Sequence, residues 1–285
     1  MAKRKIDTRA RFEIRQERNA VLILCLVMLP ILFIYGKFFI NAFIDQKTGA
    51  WTLQNFGFMT HALTMGQAKI EPIGIPLRNT VLFTIIVTGC EVVFSCMAGY
   101  ALSRLDFFGK KTITFSLFIL RMFPGILLLI GILYILMYLH IVNTLLGVVI
   151  VAIALRLPGS TFIIRNFFVQ VPRDIENSAL VDGCNRFTAF FQVIIHMVKP
   201  GIASISMFSF MAAWSNYLLF NVLIFNTKTP VLATYLRKLS LNEQMIADYG
   251  VFSAMALIYM LPVLAFFFVS QRQLMKGSIS GGKGI

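Results

Sequence analysis

Of 285 residues, 58% are hydrophobic and only 13% are charged, about half the charged share of a soluble domain. Too little polar material remains to cover a soluble fold of this size, and the apolar residues come in long runs, so the chain reads as an all-α integral membrane protein. The net charge of +14 does not point to nucleic acid, because seven of the 26 basic residues form an arm ahead of the first apolar run that carries no interleaved aromatic beyond Phe12 for base stacking.

The chain opens on a basic arm, residues 1–19, with Lys3, Arg4, Lys5, Arg9, Arg11, Arg15 and Arg18, a pattern suited to an anionic bilayer surface. A transmembrane domain over 20–270 follows. Its first span, about 20–44, contains Pro30 and is too long for a signal-peptide core, so it is expected to stay in the mature protein. Lys37, near the far end, is expected to snorkel. A loop over 45–78 leads to span 2 (79–102), which carries Glu91. Span 3 (112–138) carries Arg121 and Pro124, and a short connection around His140 and Asn143 leads to span 4 (145–164), with Arg156 and Pro158. A long loop, 165–200, precedes span 5 (201–225). A loop over 226–250 and span 6 (251–270), with Pro262, complete the bundle, and 271–285 form a tail. The four intraspan prolines predict kinks. Seventeen Lys and Arg fall on one side of this arrangement, six on the other and three within spans; the positive-inside rule then puts both termini in the cytoplasm.

The loop at 165–200 carries the most local information. Pro172 suits a first helical turn, and Asp174 and Glu176 complement the positive end of a helix. Gly183 is suited to the left-handed residue that ends a helix. Asn185 is placed to cap a second helix in which Phe187, Phe190, Phe191, Ile194, Ile195 and Val198 recur at near-helical spacing. Two short helices meeting at a bend would fit a groove on a soluble partner.

Three charges lie deep in spans: Glu91, Arg121 and Arg156, with Arg121 roughly 14 Å in at the usual helical rise. Such groups need a partner or a cavity. The plain reading is a structural pair between Glu91 and one arginine. The sharper reading is that one arginine stands free to receive a carboxylate, since guanidinium binds carboxylate through two parallel hydrogen bonds; one glutamate does not neutralise two arginines. The three histidines (His61, His140, His196) and four cysteines (Cys25, Cys90, Cys96, Cys184) are scattered, and no metal site is expected. The phosphate-binding loop pattern G-x-x-x-x-G-K-[ST] is absent, so no ATP site is expected in this chain.

The stretch Asn177-Ser178-Ala179, followed by Asp182-Gly183 and then Val193 to His196, resembles the "EAA" coupling motif of ABC importer permeases. Asn177 stands where the motif has glutamate, and His196 where it has proline. Tyr100-Ala101-Leu102-Ser103-Arg104 through Gly109, Met122-Phe123-Pro124, Trp214-Ser215-Asn216-Tyr217, and Leu261-Pro262 with Gln271-Arg272 through Gly277, Gly281, Lys283 and Gly284 are similar to further motifs of the carbohydrate-uptake branch, of the maltose permease G-subunit type. The resemblance implies the type I importer fold and a sugar or oligosaccharide solute. It also implies two ATPase subunits that hold the ATP and magnesium, an extracytoplasmic solute-binding protein, and a second, different permease subunit. By the same resemblance Glu176, Asn177, Ser178, Ala179, Asp182 and Gly183 would dock into an ATPase, and Lys276, Gly277, Gly281 and Lys283 would also reach it. Arg121, Arg156, Trp214, Asn216 and Tyr217 are candidates for the solute pathway, where a free arginine would favour acidic sugars. Trp214 as a packing aromatic and Asn216 as a helix–helix hydrogen bond are the plainer readings. An ion-coupled transporter would want an internal repeat, a membrane enzyme would want clustered acids, bases or metal ligands, and neither is visible; a permease for another solute, such as glycerol phosphate or amino acids, is the nearer alternative.

Overall fold

The computed structural model describes residues 2–46, 48–65, 68–225, 229–240 and 248–280. The described residues are mostly helical and include two short paired antiparallel strands, β1 (Leu63–Met65) and β2 (Ala68–Ile70). In chain order the helices are α1 (Ala2–Phe43), α2 (Gly74–Arg104), α3 (Lys110–Met122), α4 (Gly125–Tyr138), α5 (Leu145–Gln170), α6 (Arg173–Val181), α7 (Arg186–Ala189), α8 (Ile195–Met197), α9 (Lys199–Trp214), α10 (Leu218–Leu223), α11 (Leu232–Ser240) and α12 (Tyr249–Ser280). A wide π-helical segment, Phe190–Ile194, joins α7 to α8. Among the described residues, four helices are long and apolar enough to cross a membrane, and up to six spans result if each of two bent pairs counts as one.

Two compact units are formed, Met1–Glu71 with Leu239–Ile258, and Pro72–Lys238 with Tyr259–Ile285. In the first, the last carbonyls of α1 have no partners within the helix. The buried amide of Asn55 meets them, donating to Asn41 O at 3.3 Å, Ala42 O at 3.0 Å and Ile44 O at 3.0 Å. Gly250 packs on that amide so closely that a Cβ would stand 2.6 Å from its nitrogen.

The second unit is built on α2, α5 and α9. Small residues let these backbones approach, as membrane helices require. A Cβ on Gly99 of α2 would come within 2.7 Å of Ile164, and one on Gly201 of α9 within 2.5 Å of the Phe167 ring. One apolar cluster gathers Phe83, Val87, Leu129, Val148, Ala152 and Phe220; another gathers Tyr100, Ile164, Phe168, Phe190, Ile194 and Ile205. The many exposed apolar residues of α1, α3 and α4 belong against lipid or a partner subunit.

The structure departs from the sequence expectations in two places. Span 3 is not one kinked helix: α3 and α4 meet at 103°, with Phe123 and Pro124 extended between them, the conformation that proline imposes on its predecessor. Span 5 does not run unbroken to 225. It ends at Trp214, where the Ser215 hydroxyl donates to Met211 O at 2.7 Å and Asn216 takes the N–H of Leu219 at 3.2 Å, both local alternatives to the helical ladder. The kinks expected at Pro30, Pro158 and Pro262 are not helix breaks, since each proline lies inside a continuous helix.

Candidate functional site

Two groups of residues carry chemistry, both in the second unit. The first lies where α6 meets the end of α2. Helix α6 begins after Pro172 with Asp174 and Glu176 in its first turn. It stops at Gly183, whose φ of +92° is left-handed and open to glycine at no steric cost. Asn185 then accepts the N–H of Thr188 at 2.7 Å and starts α7. Glu176 points inward: its Oε1 accepts from the Tyr100 hydroxyl at 2.6 Å, and its Oε2 lies 3.3 Å from Nε of Arg104. That nitrogen is in ion-pair range without an aligned hydrogen bond. Arg104 Nη2 donates to Phe168 O at 2.8 Å and Val171 O at 2.6 Å, the terminal carbonyls of α5. All three side chains are buried, so charge is matched where solvent cannot screen it.

The opposite face of α6 is open. Asn177, Ser178, Val181, Asp182 and Gly183 are exposed, while Ala179 is buried with Glu176. Val181 is 87% exposed and Phe187 is 70% exposed, and the Phe187 and Phe191 rings touch at 4.7 Å between centroids. These apolar side chains are left uncovered at the end of α6 and along α7. Of the docking residues expected from sequence, Glu176 and Ala179 therefore face into the chain and the other four face out. Lys276 and Gly277 fall in the last turns of α12; Gly281 and Lys283 lie outside the described residues.

The second group surrounds an open cavity of about 300 Å³ lined by Leu120, Arg121, Gly125, Arg156, Ser160 and Phe208, among others. Glu91, fully buried in α2, has both oxygens engaged. Oε2 accepts from Arg156 Nε at 3.0 Å and from the Ser209 hydroxyl at 2.6 Å, and Oε1 accepts from the Ser160 hydroxyl. Arg156 Nη2 donates to Phe208 O at 2.9 Å. The structural pair thus forms with Arg156, and it ties α2, α5 and α9 together. Arg121, in the last turn of α3, instead lies over the Phe162 ring at 5.2 Å, a cation–π contact. Among the described residues no carboxylate pairs with it.

Trp214 is buried away from this cavity, its indole donating to Tyr259 O at 2.9 Å while the Tyr259 hydroxyl donates to Trp214 O at 3.2 Å. Asn216 caps the turn into α10. Tyr217 donates to Asn221 Oδ1 at 2.7 Å and has the Arg237 guanidinium over its ring at 4.9 Å. These three are structural neighbours of the bend, apart from the lining of the cavity. Sequence reasoning did not single out Tyr100, Arg104, Ser160 or Ser209; the first two stood in a recognised motif, and that position was the available signal.

The family of binding-protein-dependent transport system inner membrane components matches residues 91–276. The permease protein SmoH of the sulfoquinovosyl glycerol transport system of Agrobacterium fabrum is 29% identical, covering 84% of this chain and 85% of its own length. The permease protein DasC of the diacetylchitobiose uptake system of Streptomyces coelicolor is 32% identical, covering 70% of this chain and 72% of its own. The fold is similar to that of a chain of a bacterial ABC transporter involved in the import of the acidic polysaccharide alginate, with a TM-score of 0.74 at 20% identity over 91% of this chain and 96% of that one. With its long apolar helices and a match spanning both the Glu91 and the Glu176 groups, the chain is a multi-pass inner-membrane protein and belongs to the inner membrane components of binding-protein-dependent transport systems.

Proposed function

We propose that this chain is the permease subunit of an ATP-driven importer for a sugar or oligosaccharide. The observation that carries the proposal is the two-faced helix α6. One face is pinned to α2 through Glu176, Arg104 and Tyr100; the other presents Asn177, Val181 and Asp182 outward. A helix fixed to the bundle on one side and free on the other is suited to pass the movement of a docked ATPase into the spans, switching them between two access states. ATP and magnesium belong to two ATPase subunits, and a solute-binding protein delivers the solute on the other side of the membrane.

The arrangement takes six spans with both termini in the cytoplasm, so that α6 faces the ATPases, as does the end of α12 with Lys276 and Gly277. The loop at 226–250, of which residues 226–228 and 241–247 lie outside the described residues, then belongs on the side of the solute-binding protein. A second, different permease chain completes the pathway, and the exposed apolar sides of α3 and α4 supply surface for it. The sugar class rests on relatives such as the diacetylchitobiose and sulfoquinovosyl glycerol permeases.

The test is purification of the tagged chain from native membranes followed by reconstitution with whatever accompanies it. Co-purification of an ATPase and a second permease, with ATP-dependent accumulation of a saccharide, is the expected result. Recovery of the chain alone, under conditions that keep other importers intact, would refute the reading.

A further inference from the structure

We infer that Arg121 is the receptor for an anionic group on the transported sugar, a carboxylate or sulfonate, in the cavity between α3, α4 and α5. The inference rests on the importer reading above and adds the charge class of its solute. Three observations on the cavity converge on it.

The first is a charge count. The cavity wall carries two arginines and no acidic residue. Glu91 lies behind the wall, and its oxygens are committed to Arg156, Ser160 and Ser209. Arg156 is therefore neutralised, while Arg121 holds the one positive charge at the cavity without a carboxylate partner among the described residues. A guanidinium in that position is costly inside a membrane protein unless it faces water or meets an anion.

The second is orientation. Phe162 lies against the Arg121 guanidinium at 5.2 Å. Stacking of this kind holds the planar fork in place and leaves its edge nitrogens for a carboxylate or sulfonate, which arginine meets through paired hydrogen bonds. Gly159 lies beside it, Arg121 Nε standing 3.9 Å from where a Cβ would be.

The third is the bend. Arg121 is in the last turn of α3, and Gly125, the first residue of the 14-residue helix α4, lines the same cavity. The positive end of a helix dipole and its free N–H groups thus border the site. A span broken near its middle is the arrangement by which membrane carriers present helix ends to a charged solute. The volume, about 300 Å³, sits at the lower end of the roughly 300–1,000 Å³ of ligand pockets, which suits one charged sugar unit. Arg156 acts here as a positioning residue, holding α5 on α2.

The experiment uses the full importer in proteoliposomes, with a hexuronate oligosaccharide, its carboxyl-reduced neutral form and a sulfonated sugar as probes. Wild type is expected to favour an anionic probe over the neutral one. Arg121→Gln should lower that preference by about tenfold or more, the worth of a charged hydrogen-bonded contact, and Arg121→Lys should keep part of it. A second measurement needs no variant. Phenylglyoxal labelling of Arg121 in the wild-type complex, read by peptide mass spectrometry, should fall when an anionic probe is present and stay unchanged with the neutral one. Equal transport of charged and neutral probes by wild type, an unchanged preference in Arg121→Gln, or labelling indifferent to the anionic probes would each overturn the inference. The last result would also appear if a carboxylate of the second permease already occupied Arg121. If no saccharide of either charge accumulates, the importer reading itself falls and this inference falls with it.

Discussion

Glu91 and Arg156 meet at 3.0 Å between α2 and α5, and the same carboxylate receives the hydroxyls of Ser160 and Ser209, so one buried group joins three helices. Removing one partner of a buried pair leaves the other charge stranded. Glu91→Ala is expected to destabilise the purified complex by about 3 kcal/mol, the lower end for such a loss because Arg156 keeps partial access to water. Replacing both residues with leucine should cost less than Glu91→Ala alone. Thermal melting of the detergent-solubilised importer checks both, and equal melting of Glu91→Ala and wild type would remove the pair from the account of stability.

At the α6 end, Glu176 is expected to serve coupling rather than contact with the ATPase, because its carboxylate faces Tyr100 and Arg104. Glu176→Gln should leave the ATPase bound but reduce solute transported per ATP hydrolysed. Val181→Asp, which charges the exposed face, should weaken co-purification of the ATPase. The two variants are separated by measuring ATPase recovery and the transport-to-hydrolysis ratio on the same preparations.

Packing of α9 on α5 leaves no room at Gly201, where a Cβ would collide with the Phe167 ring at 2.5 Å. Gly201→Ala is expected to cost about 1–3 kcal/mol through forced repacking, more than the few tenths that helix propensity would return. Melting temperature and yield report it. Gly131→Ala, where nothing stands within 4 Å of the new Cβ, is the comparison that should be nearly neutral.

Tyr235, in α11 and outside the spans, has its phenol pushed up from 10.0 to about 12 because burial disfavours the phenolate. The folded state thus holds its proton after the unfolded chain has lost it. Stability that is present below about pH 10 is lost as the pH rises through about 12. The phenolate absorbance of wild type minus that of Tyr235→Phe should therefore rise near 12. A midpoint near 10 would show that the ring reaches water.

Much of the α6 region was legible in the sequence because its signals are local. Pro172, Gly183 and Asn185 each act through their own backbone, and each occupies the place its chemistry suggests. The breaks in the spans were not legible in the same way. Pro124-Gly125 and Pro158-Gly159 are the same dipeptide, yet the first separates two helices at 103° and the second lies inside α5. The difference is packing: α5 is lined with buried residues against α2 and α9, whereas α3 has none. The choice between Arg121 and Arg156 as the partner of Glu91 was likewise closed to sequence, because both stand at similar depth and only the rotation of the helices decides which one meets the carboxylate. Tyr100 and Arg104 find Glu176 across about seventy residues of chain, a distance over which no periodicity carries information.

The last turn of α2 and its second turn are fastened to quite different things. Near Arg104 the helix is fixed to α6. Near its start, Asn79 donates to Pro230 O at 3.0 Å and Thr80 receives the N–H of Leu232 at 2.8 Å. A helix of 31 residues is about 46 Å long, so a tilt of about 5° at one end sweeps the other by about 4 Å. A partner that tilted the α6 end of this helix would therefore move the chain leading into α11 by about that distance, without any helix having to unfold.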